Sequence, residues 1–154
     1  MDIQIRKATK ADLDVLKAME QGIITAERPF DETLAQDPIS YYDLEALINN
    51  TKALVLVATH NNAIVSCGYG LEKTAKPYLN HTKYAYLGYM FTLSQYRGHG
   101  LNGKILFALK EWANNRGLSE IRLTVYDENK AALRAYEKVG FKKHIVEMRW
   151  VSEE

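Results

Sequence analysis

The densest concentration of chemistry in this 154-residue chain is the run Gln95-Tyr-Arg-Gly-His-Gly-Leu-Asn-Gly-Lys104. Its glycines separate an aromatic, β-prone run from an amphipathic one, so a tight turn opens a helix there. Gly98 and Gly100 permit backbone conformations closed to other residues and let a ligand approach the bare chain. The amides that open the helix at Leu101 point outward with the positive end of its dipole, which suits a diphosphate. Gly98, Gly100 and Gly103 match the dinucleotide pattern G-x-G-x-x-G, yet a helix and a hairpin precede them and only about fifty residues follow, too few for a doubly wound sheet. Gly98 to Lys104 also matches G-x-x-x-x-G-K, but Ile105 stands where a P-loop needs a Ser or Thr for magnesium. His60, His81, His99 and His144 are scattered and Cys67 is the single cysteine, so no metal site is expected. Neither Ser66 nor Cys67 has the flanking residues of a nucleophile.

The elements that must position this turn can be read from periodicity. Ile3 and Ile5 alternate as a strand, and Leu13, Leu16, Met19 and Ile23 follow Thr9 at helical spacing. Residues 26–42 carry two of the three prolines and four acids, a loop or broken helix that covers something, before a short helix over Asp43 to Asn50. Ala53 to Thr59 and Ala63 to Leu71 form a hairpin, and Tyr84 to Leu93 is a central strand. Leu101, Ile105, Leu106, Leu109 and Trp112 trace one helix face, which Gly117 ends. A strand over Glu120 to Tyr126, a helix from Asp127 or Glu128 to about Val139, and one or two closing strands over Phe141 to Val151 complete the order. Strand, crossover helix and strand around the glycine turn make a right-handed parallel unit.

Composition bounds the partners. Twenty Lys plus Arg balance nineteen Asp plus Glu, so no global basic field exists for nucleic acid. A 47% hydrophobic content fits one domain over residues 1–154. Apolar runs such as Ala53 to Ala58 are too short for a bilayer, the N-terminus lacks a signal-peptide pattern, and a lone cysteine forms no internal disulfide. A soluble protein of the reducing cytoplasm, without membrane or nucleic-acid partners, is expected.

Gln95-x-x-Gly98-x-Gly100 resembles the acyl-coenzyme A signature of the GNAT superfamily of N-acetyltransferases, and Asn129-x-x-Ala132-x-x-x-Tyr136-x-x-x-Gly140-Phe141 resembles its second element, at the right place in the strand order. The resemblance extends from Ile3 to Trp150. It implies a single α/β (α+β) domain: a mixed, mostly antiparallel sheet of about six or seven strands with a splayed parallel pair and about four flanking helices. The pantetheine arm of acetyl-coenzyme A would lie in the splay on the backbone of Phe91, Thr92 and Leu93, and the diphosphate on Arg97, Gly98, His99, Gly100, Leu101 and Asn102, with the Arg97 side chain free to add charge. Asn129 would touch the cofactor arm, helix capping being its other role. Tyr136 resembles the general acid that protonates the departing thiolate, and a backbone N–H near Phe91 or Thr92 would stabilise the oxyanion.

Many members of that family place a base Glu on the strand before the turn, whereas no acid lies between Tyr84 and Ser94 here. Glu27, Asp31 and Glu32, in the loop where such proteins build the acceptor pocket, are the substitutes, with water relayed by Tyr84 or Tyr86 as another route. Phe30, Tyr41, Tyr42, Tyr69, Tyr78, Tyr84 and Tyr86 would favour an apolar or aromatic acceptor. The expected activity is acetyl transfer from acetyl-coenzyme A to a primary amine, on a small molecule or a protein, by direct attack in a ternary complex. A non-catalytic acyl-coenzyme A-binding regulatory module on the same fold is the alternative, and a structural interaction domain a third. A closing C-terminal strand offers an edge through which two copies could pair as a homodimer.

Overall fold

The computed structural model describes residues 1–153. Strand β1 (Ile3–Lys7) leads through a single 3-10 turn into helix α1 (Leu13–Glu27). The Asp12 carboxylate fixes that entry: it takes both Arg6 guanidinium nitrogens, at 2.8 and 3.0 Å, and the Thr9 backbone N–H at 2.8 Å. The ion pair holds the Asp12 carboxyl below its ordinary range. Helix α2 (Leu44–Asn49), capped by Asp43, precedes the hairpin β2 (Ala53–His60) and β3 (Ala63–Thr74). Then come β4 (Lys83–Thr92), α3 (Leu101–Asn115), β5 (Ile121–Arg122) and α4 (Lys130–Lys138).

The sheet runs β1-β2-β3-β4-β5 and is antiparallel except for β4 beside β5. Alternation along β2 sends Val55 and Val57 to one face, where they pack with Leu16, Met19 and Ile23 of α1 and with Tyr69 and Tyr89. Leu56 and Ala58 turn to the other face, against Leu101, Ile105, Leu106 and Leu109 of α3. Two apolar layers thus clamp the sheet, and the end of β4 is fixed from both sides.

β4 and β5 pair only at Ala85 with Ile121 and Tyr86 with Arg122. β4 continues to Thr92 with no parallel neighbour among the described residues, so the strands part. The register against β3 shifts between Cys67 and Tyr69, opposite Tyr89, whose φ of 60° marks a bulge. The Tyr89 hydroxyl donates to the Leu16 carbonyl of α1 and ties that bulge to the helix.

Three expectations need correction. The strand expected over Glu120 to Tyr126 is only two residues long, because its partner has turned away beyond Tyr86. The last helix begins at Lys130, since the Asn129 side chain caps it. Residues 142–153 take no regular structure, so the described residues form five strands, not six or seven. The alternating pattern of this tail is real, but a ladder needs a neighbour, and two-residue β5 offers almost no edge. Among the described residues no helix is long and apolar enough to cross a membrane.

Candidate cofactor and acceptor site

The cleft between the parting strands opens toward the glycine turn. Gly98 and Gly100 both sit in the left-handed region, with φ of 80° and 76°, and a Cβ on either would meet nothing within 4 Å. The chain is therefore bent by glycine conformations whose outer side is open. Gly100 caps α3, and the first bond of the helix runs from the Lys104 N–H to the Gly100 carbonyl at 3.1 Å. The amides of Leu101, Asn102 and Gly103 precede that bond and are the free donors of the helix start. Leu101 is buried, while Arg97 and His99 lie exposed at the rim.

The strand leading into the turn divides its polar groups between two directions. The Leu93 N–H donates to the Val65 carbonyl at 2.9 Å, and the Phe91 carbonyl accepts the Ser66 hydroxyl at 2.9 Å, so both face β3. Alternation then turns the backbone of Thr92 to the open edge. Its carbonyl accepts Arg97 Nε at 3.0 Å, and the guanidinium lies 5.7 Å from the centre of the Phe91 ring. The Arg97 side chain is thus folded back over the cleft mouth instead of standing free.

Opposite β4, Asn129 accepts the Ala132 N–H at 3.2 Å through its side-chain oxygen, which leaves its amide nitrogen for another partner. Tyr136 lies two turns further along α4, edge-on to Phe141 at 6.0 Å and packed on the α3 side of the core. Burial pushes its phenol up to about 12, with the negative charge of Glu27 adding to the rise. It is a neutral O–H at any physiological pH.

The carboxylates expected from the loop are dealt different surroundings. Glu27, half-buried at the end of α1, has its carboxyl raised by burial, against the opposing influence of the Tyr41 hydroxyl and with the help of the Asp31 charge. Asp31 is lowered, because Thr33 and Tyr126 donate to it, Tyr126 at 2.7 Å. Phe30 stacks on Tyr126 at 6.3 Å. These contacts join the loop after α1 to the segment after β5 across the mouth of the cleft. Glu32 is exposed and pairs with Arg149 at 3.8 Å, outside this cluster. Tyr86 meets Thr124 through their hydroxyls, so it lines the same side of the cleft.

Sequence reasoning passed over Glu20. It is 3% exposed, and one of its oxygens accepts the backbone N–H of both Tyr41 (3.0 Å) and Tyr42 (2.8 Å). That carboxylate hangs the far side of the loop from α1 and sets Tyr41 beside Glu27. A signal was present: Glu20 and Glu27 fall on the stripe of Leu16, Ile23 and Ile24, where a surface acid has no business. Cys67 is fully buried, its thiol pushed up to about 12, and is no nucleophile. The described residues contain no cluster of His, Cys, Asp and Glu that could hold a metal.

Residues 21–141 match the family model described as Acetyltransferase (GNAT) family. The thialysine N-epsilon-acetyltransferase of Mus musculus is 37% identical over 67 residues, 44% of this chain and 39% of that protein, so the match spans well under two thirds of its length. The N-alpha-acetyltransferase 30 of Saccharomyces cerevisiae is 28% identical over 127 residues, 79% of this chain and 70% of that protein. A predicted acetyltransferase from Clostridium acetobutylicum, solved with acetyl-coenzyme A, shares the fold with a TM-score of 0.75 at 20% identity, over 99% of this chain and 96% of that one.

Proposed function

Because the chain belongs to the GNAT family of acetyltransferases, whose acyl donor is acetyl-coenzyme A, we propose that it transfers acetyl from that donor to a primary amine by direct attack in a ternary complex. One observation carries the reading: two parallel strands part after Tyr86 and Arg122, and a left-handed glycine turn with free helix-start amides stands at the wide end of the gap. The gap takes the thioester arm beside Thr92, and the amides of Gly98 to Asn102 take the pyrophosphate. Arg97 must release the Thr92 carbonyl for the arm to bond there, and its guanidinium then serves the phosphates.

Each remaining residue has a role that its surroundings favour. Glu27, half-buried at the end of α1 with its carboxyl raised by burial, accepts the proton of the attacking amine. Asp31 and the rings of Tyr41, Tyr126 and Phe30 receive a cationic or aromatic amine. Glu32, exposed and paired with Arg149, is set aside as a base. The nitrogen attacks the thioester carbonyl, the C–S bond breaks, and the sulfur leaves as a thiolate that takes up a proton. Tyr136 donates to that sulfur. A phenol held at about 12 is less acidic than an ordinary thiol, so its effect is chiefly a hydrogen bond to the developing charge. Burial of Cys67 supports transfer without an acyl-enzyme, and a lone buried cysteine is consistent with a reducing cytoplasm.

The test is release of free coenzyme A thiol by the purified protein with acetyl-coenzyme A and a panel of primary amines. Amine-dependent release from at least one acceptor is expected. Saturable binding of acetyl-coenzyme A with no release on any amine would instead make the protein a non-catalytic acyl-coenzyme A-binding module.

A further inference from the structure

The β4–β5 end of the sheet carries two cations that no step of the reaction uses. Lys73 of β3 lies directly opposite Tyr84 of β4, and Tyr86 directly opposite Arg122 of β5, so all four stand on one face. It is the face of Tyr69, whose ring would stand 2.5 Å from a Cβ at Gly88. Helices α1 and α2 cover this face over β2 and β3, whereas Lys73, Tyr84, Tyr86 and Arg122 stay half-buried. The Lys73 ammonium lies 4.3 Å from the centre of the Tyr86 ring, and the Arg122 guanidinium 5.6 Å from that of Tyr84. Among the described residues no carboxylate pairs with Lys73. Its neighbour Glu72 points to the other face and takes Lys83 and Arg116. Arg122 meets Glu120 through Nε alone, at 3.0 Å, which leaves both terminal nitrogens of its fork without a partner among the described residues.

This basic end is continuous with the acidic mouth of the cleft. Tyr86 meets Thr124 through their hydroxyls, and Tyr126, two residues further, donates to Asp31. Besides burial, Glu27 and Tyr86 both raise the phenols of Tyr42 and Tyr136, so the acid and the ring border one space. Four residues separate Arg122 from Tyr126, at most about 13 Å of chain. Lys73 leans past its own partner, Tyr84, onto Tyr86, which shortens that span. Resting on the acetyl-transfer reading above, we propose that Lys73 and Arg122 form an anion subsite and that the acceptor is a linear primary amine with a carboxylate at its other end. The amine enters between Glu27 and Asp31, the methylene chain lies along the Tyr86 ring, and the carboxylate takes the Arg122 fork and the Lys73 ammonium. A neutral tail gains nothing from these cations. A second ammonium in their place is repelled.

Thiol release from acetyl-coenzyme A with 6-aminohexanoate, hexylamine and 1,6-diaminohexane tests this, because the three probes share a chain and differ in the charge of the tail. In the full-length wild type, kcat/KM for 6-aminohexanoate should exceed that for hexylamine by about tenfold to a hundredfold, the worth of a charge-assisted hydrogen bond. Lys73→Met, which keeps the stem and removes the charge, and Arg122→Gln should each bring this ratio toward one. Lys73→Glu should favour the diamine over 6-aminohexanoate. A ratio of two substrates on one preparation does not depend on the fraction of the variant that folds. Equal use of hexylamine and 6-aminohexanoate by the wild type, or a ratio that Lys73→Glu leaves unmoved, would overturn the proposal. Thiol release with other primary amines but none with 6-aminohexanoate would overturn the subsite and leave the transfer reading standing. Silence on every amine would remove both.

Discussion

Alanine at Gly100 separates two consequences of one methyl group. Gly100 has φ of 76°, a conformation that costs an L-residue about 1–2 kcal/mol. Nothing lies within 4 Å of the added Cβ, so no clash enlarges that cost. In a chain of this size each kcal/mol lowers the melting temperature by about 2–4 °C, giving an expected drop of about 2–8 °C. Gly117, at the other end of α3, is an internal control: φ is 75° and the surroundings of its Cβ are equally empty. Gly117→Ala should melt like Gly100→Ala. Binding should distinguish them, because at position 100 the methyl stands where the pyrophosphate must approach the helix-start amides, and at position 117 it lies a helix length away. Loss of one hydrogen bond between a charged phosphate and the backbone is worth about 1.5–3 kcal/mol, or about tenfold to a hundredfold in Kd. Calorimetric titration with coenzyme A at fixed salt reads this directly. Unchanged affinity in Gly100→Ala, or an equal weakening in Gly117→Ala, would refute the assignment of the turn.

Other residues give further expectations. Tyr136→Phe keeps the ring on Phe141 and removes the donor, so kcat should fall by about tenfold to a hundredfold, the worth of one hydrogen bond to developing charge, while the melting temperature holds; full activity in steady-state assays would remove the donor role. Glu27→Gln should abolish the acidic limb of the pH–rate profile measured with a weakly basic amine, and a retained limb would exclude Glu27 as base. The same substitution carries a stability signature. A carboxyl raised in the native state contributes stability that is complete below its unfolded value and is lost as pH rises through the folded one, so Glu27→Gln should melt higher relative to wild type at pH 8 than at pH 4. A pH-independent difference would contradict the burial argument. Glu20→Ala strands the amides of Tyr41 and Tyr42 and should cost about 2–5 kcal/mol in denaturant titrations, with Glu20→Gln recovering most of it; equal losses would mean the tether is not made by those bonds.

What could be read from the sequence follows from the range of the forces involved. The α1 stripe, the β2–β3 hairpin and the glycine-opened α3 are local patterns, each legible in a dozen residues. The length of β5 was not, because it is set by where β4 bulges at Tyr89 and parts from its neighbour, a property of paired strands. The tail reads as a strand and lacks one partner, a fact that alternation alone does not encode. At the site, the glycines announced themselves through backbone chemistry, but the bond from Tyr126 to Asp31 joins positions that no local spacing connects. Arg97 looked free in the sequence, and the turn folds it back onto Thr92. Glu20 was legible in principle, as an acid on a core stripe, since a carboxylate is buried only where donors await it.

The central claim is that the backbone amides from Gly98 to Asn102 hold the pyrophosphate of acetyl-coenzyme A. Amide nuclear magnetic resonance spectra recorded through a coenzyme A titration address it residue by residue. Saturable shifts that are largest at Gly98, Gly100, Leu101 and Asn102, with a second group at Thr92, are predicted. Spectra in which those amides stay still while the ligand saturates elsewhere, or in which nothing moves, would contradict the account.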